Sequence, residues 1–300
     1  MTGECVAIVH PLKSGGLDAT VDRLSRWAHA AGVATPHVVP TSEESPGSEQ
    51  ARDAVRAGAD LVLAWGGDGT VRAVADGLAG TDVALGVIPA GTGNLLARNL
   101  GIPLSLADAT AVAFSGADRR VDVLEIGLGG TVTTGTVIAG LGLDAVLIDA
   151  PEQLKSAIGP SAYVINTVRA LRHKKMRVGV AVDGGPPRWF SARSVLVANV
   201  GGLIAGMDVA PEAEVSDGLL HVIVLPLGRP VDWVRTGTRI VLRRGVEDTS
   251  RFHLQGTSAW VVAAEAQPRQ IDGDLVGEGR SIQARVRPAA LVVRVPRDDG

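Results

Sequence analysis

Hydrophobic and polar positions along the first third of the chain change period repeatedly, which predicts strands alternating with helices. Short apolar runs favour strands at Val6–Val9, Val33–Val39, Leu61–Trp65 and Val83–Ile88. Helical patterns cover Asp18–Ala31, Ser48–Ala57, Val71–Leu78 and Leu95–Leu100. A β-α-β-α order predicts a parallel sheet with helices on both faces and ligands at the carboxyl ends of the strands.

The pattern changes after about Asp118, where strand-like segments dominate and predict a mostly antiparallel second domain. We expect an α/β domain over residues 1–120 and a β-rich domain over 121–300, allowing for a C-terminal strand that returns to the first domain. The strand-like segments are Val121–Ile126, Val132–Ile138, Val178–Val182, Ser194–Val200, Leu219–Leu225, Trp260–Ala264 and Leu291–Val295. Two helical patterns interrupt them, at Ala162–Leu171 and Val231–Leu242.

Composition narrows the class of protein. A formal net charge of −3 over 300 residues gives no general basic character, so we expect no nucleic-acid partner. The single cysteine, Cys5, excludes an internal disulfide, and its apolar neighbours favour a core position over a nucleophile. The N-terminus lacks a basic segment typical of a signal peptide, and no apolar run reaches membrane-spanning length. We therefore expect a cytoplasmic protein.

A glycine-rich segment, Gly66-Gly67-Asp68-Gly69-Thr70, lies between a predicted strand and a predicted helix. Glycines there allow a sharp turn and bring backbone N–H groups close to an anion, and the helix start favours phosphate. Thr70 stands where a helix N-cap belongs. Asp68 adds negative charge to a phosphate site, which fits holding Mg²⁺ or orienting an acceptor. The alternative is an ordinary Asp-Gly turn.

A second loop, Gly91-Thr92-Gly93-Asn94, follows the next predicted strand. Its glycines permit close approach, and the side chains of Thr92 and Asn94 offer hydrogen bonds to phosphate or ribose. Alone, this loop is compatible with a plain turn. Paired with the first loop at the neighbouring strand end, it predicts a phosphate-binding site.

These two loops carry a resemblance to the diacylglycerol kinase catalytic-domain superfamily of lipid kinases. The first matches the GGDGT of that family, and Pro89–Asn94 with Ala97 and Arg98 matches its second loop. The likeness continues through His10-Pro11 with Ser14-Gly15, Gly140–Asp144, Lys155, Gly159, Ala162, Tyr163, Asn199–Gly206, Pro211, Asp217-Gly218 and Ile271-Asp272-Gly273-Asp274. The family plan implies an NAD kinase/diacylglycerol kinase-like α/β domain and a mostly antiparallel β-sandwich domain.

The resemblance also implies an activity: transfer of the γ-phosphate of ATP, with Mg²⁺, to a lipid hydroxyl. Asp272 is the implied general base, and Asp68 helps to bind ATP with Mg²⁺. The implied nucleotide cleft comprises Gly66, Gly67, Asp68, Gly69, Thr70, Gly91, Thr92, Asn94, Pro11, Ser14 and Asp274. An Asp-Gly pair such as Asp272-Gly273 is, by itself, more typical of a β-turn.

A structural Mg²⁺ loop is implied at Asp217 with the carbonyls of Glu214 and Leu219, although a simple turn fits this stretch as well. Asp122 falls where the family often has an acid near the cleft, and a solubilising strand-end charge is the alternative. The chain departs from the family pattern at three positions. His10 replaces an asparagine, Leu95 stands where many diacylglycerol kinases carry an acid, and Asp274 replaces a glutamate.

The sequence leaves two other functions open. NAD kinases share GGDGT, but their second Gly-Ser/Thr-Thr-Ala-Tyr signature is not found in this sequence. A weakly catalytic lipid- or nucleotide-binding protein is the other alternative. We expect a lipid substrate, a peripheral membrane contact at the inner face and a possible homodimer. A basic cluster, Arg169, Arg172, His173, Lys174, Lys175 and Arg177, fits either an anionic membrane contact or a helix end.

Overall fold

The computed structural model describes residues 4–142, 175–201, 212–225 and 252–297. The helices are α1 (Pro11–Ser14), α2 (Leu17–Ala30), α3 (Ser48–Ala57), α4 (Asp68–Leu78), α5 (Leu95–Asn99) and α6 (Leu106–Ser115). The strands of the first half are β1 (Glu4–Val9), β2 (His37–Pro40), β3 (Ala59–Gly66), β4 (Ala84–Pro89), β5 (Ala117–Gly127), β6 (Val132–Gly135) and β7 (Ile138–Gly142). Those of the second half are β8 (Met176–Val182), β9 (Arg188–Ala192), β10 (Ser194–Ala198), β11 (Leu220–Leu225), β12 (Phe252–Gly256), β13 (Ser258–Ile271) and β14 (Asp274–Val295).

The first part of the chain forms the predicted parallel sheet, in the order β2-β1-β3-β4. β3 and β4 run in register from Leu61↔Ala84 to Gly66↔Pro89. Because this last pair lies at the carboxyl ends of both strands, the two glycine-rich loops leave the sheet side by side. Apolar residues cover both faces of the sheet, with Ile8 and Val62 packed on one face and Val9 and Trp65 on the other.

The second part of the chain is antiparallel and forms the β-sandwich-like domain that the resemblance predicts. β10 pairs with β7 and β11, β11 pairs with β12, and β13 pairs with β7, β8 and β14. Its core is built from valine, leucine, isoleucine and alanine, as the scarcity of aromatic residues requires. The turn of the long β13–β14 hairpin is Asp272-Gly273.

Strand β14 connects the two parts. Its first half pairs with β13, while Val292 and Val293 pair in parallel with Ala84 and Leu85 of β4. The last strand therefore joins the sheet of the first part. The strands that carry the hairpin turn and the glycine-rich loops thus belong to one continuous hydrogen-bonded sheet.

Several elements differ from the sequence-based expectation. The predicted strand Val132–Ile138 is two strands, broken at Thr136-Val137, and helix α6 was not predicted because its small apolar residues show little periodicity. Strands β9 and β12 and the short helix α1 were also missed. The predicted helices Ala162–Leu171 and Val231–Leu242, and the basic cluster up to Lys174, lie outside the described residues. Within the described ranges, no helix has both the length and the apolar character needed to cross a bilayer.

Candidate functional site

The two glycine-rich loops pack backbone against backbone. The N–H of Ala90 donates to the carbonyl of Gly66 (2.8 Å), and a Cβ placed on Gly91 would lie 2.8 Å from the Cα of Gly67. A Cβ on Gly66 would lie 2.5 Å from the Cβ of Thr70. None of these three glycines has a positive φ, so glycine is required here by close approach and not by an unusual backbone conformation.

Asp68 ties the loops together. One of its carboxylate oxygens accepts a hydrogen bond from the N–H of Asn94 (2.8 Å), and the other accepts one from the N–H of Leu95 (2.6 Å). Burial raises the pKa of Asp68 above its ordinary value, against the lowering effect of these two N–H donors, and the nearby charges of Asp272 and Asp274 raise it further. Asp68 therefore holds the second loop in position, and its role in binding ATP with Mg²⁺ stays a prediction.

Asn94 and Thr70 also serve the loops themselves. Asn94 has a φ of 50°, and its side chain accepts from the N–H of Gly91 (2.9 Å) and donates to the carbonyl of Gly91 (2.8 Å). This is the local bonding for which asparagine is favoured in turns. Thr70 is not the N-cap, which is Gly67; it is the third residue of α4 and is buried. Thr92 is exposed at the loop tip.

The β13–β14 hairpin brings Asp274 to the first loop. A Cβ on Gly69 would lie 2.6 Å from an oxygen of Asp274, and that oxygen accepts a hydrogen bond from Arg72 of α4 (3.0 Å). The other oxygen of Asp274 accepts no hydrogen bond from the described residues. Asp274 thus offers free lone pairs beside the start of α4.

Asp272 is a buried carboxylate whose hydrogen bonds are saturated. One oxygen accepts from the N–H (2.7 Å) and hydroxyl (2.9 Å) of Thr136, and the other accepts from the N–H groups of Val137 and Ile138 (both 2.8 Å). Burial raises the pKa of Asp272, and the three N–H donors oppose this rise. Because a carboxylate has about four lone-pair positions, a base role would require one of these bonds to break as the acceptor binds. That role stays a prediction.

The His10–Gly15 segment borders the first loop from the other side. Ser14 is buried, and its hydroxyl donates to the carbonyl of Pro11 (3.2 Å), so its side chain is turned into the protein. Lys13 instead extends over the first loop, where a Cβ on Gly67 would lie 2.6 Å from its Nζ. The Nδ1 of His10 is buried without a hydrogen-bond partner among the described residues.

The predicted cation loop at Asp217 is closed by its own backbone. The carboxylate of Asp217 accepts from the N–H groups of Glu214 (3.1 Å) and Leu219 (2.8 Å). Asp122 is not a solubilising charge: it is buried and accepts from the N–H groups of Gly218 and Ala289 (both 2.7 Å). These bonds favour a structural turn over a metal site, and the ligand roles of Asp217, Glu214 and Leu219 stay predictions.

The cleft meets the requirements of Mg²⁺ at one carboxylate. Four hydrogen bonds fill the lone-pair positions of Asp272, and each oxygen of Asp68 accepts one backbone N–H, whereas one oxygen of Asp274 accepts no hydrogen bond from the described residues. Mg²⁺ is commonly held by one or two carboxylates together with substrate phosphates and water, so Asp274 fits this pattern. Among the described residues, no group of three or more His, Cys, Asp or Glu side chains could hold a metal by itself.

Two cations at this site, Lys13 and Arg72, were not predicted from the sequence. Arg72 lies in α4, two residues after Thr70 at the end of the first loop. Its Nε is buried with no hydrogen-bond partner among the described residues. The sequence signal was their position within or next to recognised motifs, but helix α1 and the hairpin contact that direct them inward are not visible in the sequence. Cys5, predicted as a core position, lies in β1 half-buried against the core, and burial raises its thiol pKa to about 12.

Comparisons with known proteins agree with this architecture. Residues 4–126 match the diacylglycerol kinase catalytic domain, and residues 135–295 match the YegS C-terminal NAD kinase beta sandwich-like domain. A Pseudomonas aeruginosa protein named probable lipid kinase YegS-like is 32% identical over 263 residues, or 85% of this chain and 83% of the relative.

Solved structures show the same fold. A crystal structure of a diacylglycerol kinase from Bacillus anthracis superimposes with a TM-score of 0.72 at 21% identity, covering 98% of this chain and 97% of the other. An NAD kinase from Archaeoglobus fulgidus, solved with ATP, gives 0.51 at 14% identity, covering 97% and 93%. The family matches, together with the paired loops and the hairpin that faces them, show that the chain is a kinase and belongs to the diacylglycerol kinase catalytic-domain family, with a YegS-type second domain.

Proposed function

We propose that this kinase transfers the γ-phosphate of ATP, with Mg²⁺, to a hydroxyl of a diacylglycerol-like or sphingoid lipid. The observation that carries the proposal is the joining of the two glycine-rich loops by Asp68, with the carboxylate of Asp274 lying against Gly69 of the first loop. Phosphoryl transfer depends mainly on positioning and on charge stabilisation, and both are available at this point of the fold.

The nucleotide half of the site is made by the loops. The first turn of α4 has N–H groups that lack intrahelical acceptors, and the helix dipole adds to their attraction for phosphate oxygens. Gly67 and Gly91 let the two loops pack closely, so that backbone N–H groups of both loops lie near one another where an anion would bind. Bound Mg²⁺ would neutralise phosphate charge, with Asp274 as its protein ligand.

The acceptor half is made by the hairpin turn. Asp272 fixes the break between β6 and β7 and sets the position of its neighbour Asp274. An acceptor hydroxyl that reaches this turn would lie between the hairpin and the first loop. Asp272 is retained as the proposed general base, since a buried carboxylate with a raised pKa can take a proton from an alcohol more readily.

A membrane surface would supply the lipid. Two exposed leucines flank the cleft: Leu12 precedes Lys13 on α1 and is 90% exposed, and Leu275 follows Asp274. Exposed apolar side chains of this kind can enter the interfacial region of a bilayer while the cleft remains at its surface. This arrangement supports a transient peripheral contact.

The direct test is transfer of label from γ-labelled ATP to a panel of diacylglycerol, sphingosine, ceramide and NAD, with Mg²⁺ and with Asp68→Ala as a parallel variant. We expect a labelled lipid that is lost in the variant. Label on NAD alone would replace the lipid proposal with an NAD kinase. Measurable ATP binding with no labelled product would favour a non-catalytic binding protein.

A further inference from the structure

Lys13 is a cation beside the first loop that has no role in the family motifs or in the proposed function. It lies in α1, between the two family-like positions Pro11 and Ser14. Ser14 turns inward, and Arg23 donates to the carbonyl of Ser14 (3.3 Å), which fixes the end of α1 against α2. The N–H of His10 donates to the carbonyl of Trp65 (2.9 Å), which fixes its start against β3. The backbone that carries Lys13 is therefore held at both ends.

The ammonium group of Lys13 lies where the two loops meet. The Cβ position of Gly67 is 2.6 Å from Nζ of Lys13 and 3.5 Å from Cα of Gly91. Residue 67 must therefore be glycine for the ammonium group to occupy this place. Within residues 4–142, 175–201, 212–225 and 252–297, no ion pair includes Lys13. The carboxylate of Asp68, the residue after Gly67, accepts hydrogen bonds from the N–H groups of Asn94 and Leu95.

We infer that Lys13 binds the polyphosphate of the nucleotide, as a charged clamp that closes the two glycine-rich loops from the α1 side. The inference rests on the proposed function for the location of the phosphates, and it adds a residue that acts on them. A lysine ammonium group is a compact cation suited to a polyphosphate, and it makes charge-assisted hydrogen bonds.

A structural alternative exists for the same side chain. Lysine in the last turn of a helix can interact with the free carbonyls of that end. In that case Lys13 would contribute to stability and would not distinguish one ligand from another. The two roles therefore differ in their dependence on the phosphate chain of the ligand.

Binding of ATP, ADP, adenosine and inorganic tripolyphosphate to the full chain separates the two roles. Lys13→Met is compared with Lys13→Arg and with Arg26→Met, which removes one exposed positive charge from α2. We expect Lys13→Met to weaken ATP and tripolyphosphate about 10- to 100-fold, to weaken adenosine by less than about 2-fold, and to be partly rescued in Lys13→Arg. Arg26→Met should bind all four ligands as the wild type does.

Unchanged ATP and tripolyphosphate affinity in a folded Lys13→Met protein would overturn the inference, and so would an equal loss for adenosine. These outcomes are separable from failure of the proposed function. A wild type that binds ATP through Lys13 but labels no lipid would keep the inference and remove the lipid acceptor. If the wild type labels lipid and Lys13→Met binds ATP as tightly as the wild type does, the lipid acceptor would be kept and the role of Lys13 would be removed.

Discussion

At the scale of single residues, the carboxylates of the cleft have unequal freedom. Asp68 and Asp272 both have a raised pKa because they are buried, yet their oxygens already accept hydrogen bonds, whereas Asp274 shares one oxygen with Arg72 and keeps the other open. A substitution at each position should therefore have a different consequence.

Asp68→Ala removes both acceptors that hold the second loop. We expect ATP affinity to fall at least about tenfold, because the backbone N–H groups of Asn94 and Leu95 lose their fixed position. The free energy of unfolding should fall by only about 1–3 kcal/mol. Calorimetric titration with ATP checks the first value, and Asp82→Ala, at an exposed acid after α4, is the control. Unaltered ATP affinity would show that the two loops keep their position without Asp68.

Asp272→Asn should destabilise the fold. An amide has one acceptor oxygen for four donors, and its NH₂ group would face N–H groups of Thr136, Val137 or Ile138. We expect the free energy of unfolding to fall by roughly 3 kcal/mol, measured with denaturant. A variant of full stability but with strongly slowed transfer would instead identify Asp272 as a base with little anchoring role.

At the scale of secondary-structure elements, the close packing of the loops is the feature most sensitive to size. In Gly91→Ala the new methyl group would lie 2.8 Å from Cα of Gly67 and 3.0 Å from Oδ1 of Asn94. The Gly67 backbone cannot move away easily, and the Asn94 side chain is held by its own hydrogen bonds to Gly91. We therefore expect a loss of about 1–3 kcal/mol in stability and weaker ATP binding. Gly127→Ala, whose nearest contact would be an ordinary 3.4 Å, is the matched control. Equal effects of the two substitutions on ATP binding would argue against contact between the loops.

Helix α4 carries the first loop, and Asp76 fixes this helix to its neighbours. Asp76 accepts hydrogen bonds from Ser48 of α3 and Thr134 of β6 (2.7 Å) and pairs with Arg52 (2.6 Å). Burial alone would raise the pKa of Asp76, but these partners outweigh it and hold the pKa below its ordinary value of 3.8.

The lowered pKa predicts how Asp76 contributes to stability as pH changes. A depressed folded-state pKa means that the contribution is fully present above the ordinary value of 3.8 and is lost as pH falls through the folded-state pKa. We expect Asp76→Asn to be about 1–2 kcal/mol less stable than the wild type at neutral pH, with the gap closing in strong acid. Chemical unfolding at a series of pH values tests this, and a constant gap would contradict it.

At the scale of the whole molecule, the sequence revealed what depends on local pattern. The parallel sheet, helix α3 and both loops were predicted because period and glycine content are local signals. Strand β14 was predicted only at its apolar end, since its first half alternates weakly. The bonds from Asp272 to Thr136 and from Asp68 to Asn94 span 136 and 26 residues, and no local pattern encodes such contacts. The direction of Lys13 depends in the same way on how α1 packs.

The proposed reaction moves the γ-phosphate of ATP to a lipid hydroxyl at the site formed by the two loops and the hairpin. The most direct measurement incubates the full chain with Mg²⁺ and vesicles of total lipid extract, with γ-labelled or α-labelled ATP in parallel samples, and follows label into the organic phase. We expect lipid-bound label from γ-labelled ATP alone. Transfer from α-labelled ATP, or no lipid-bound label from either in a protein that binds ATP, would contradict it.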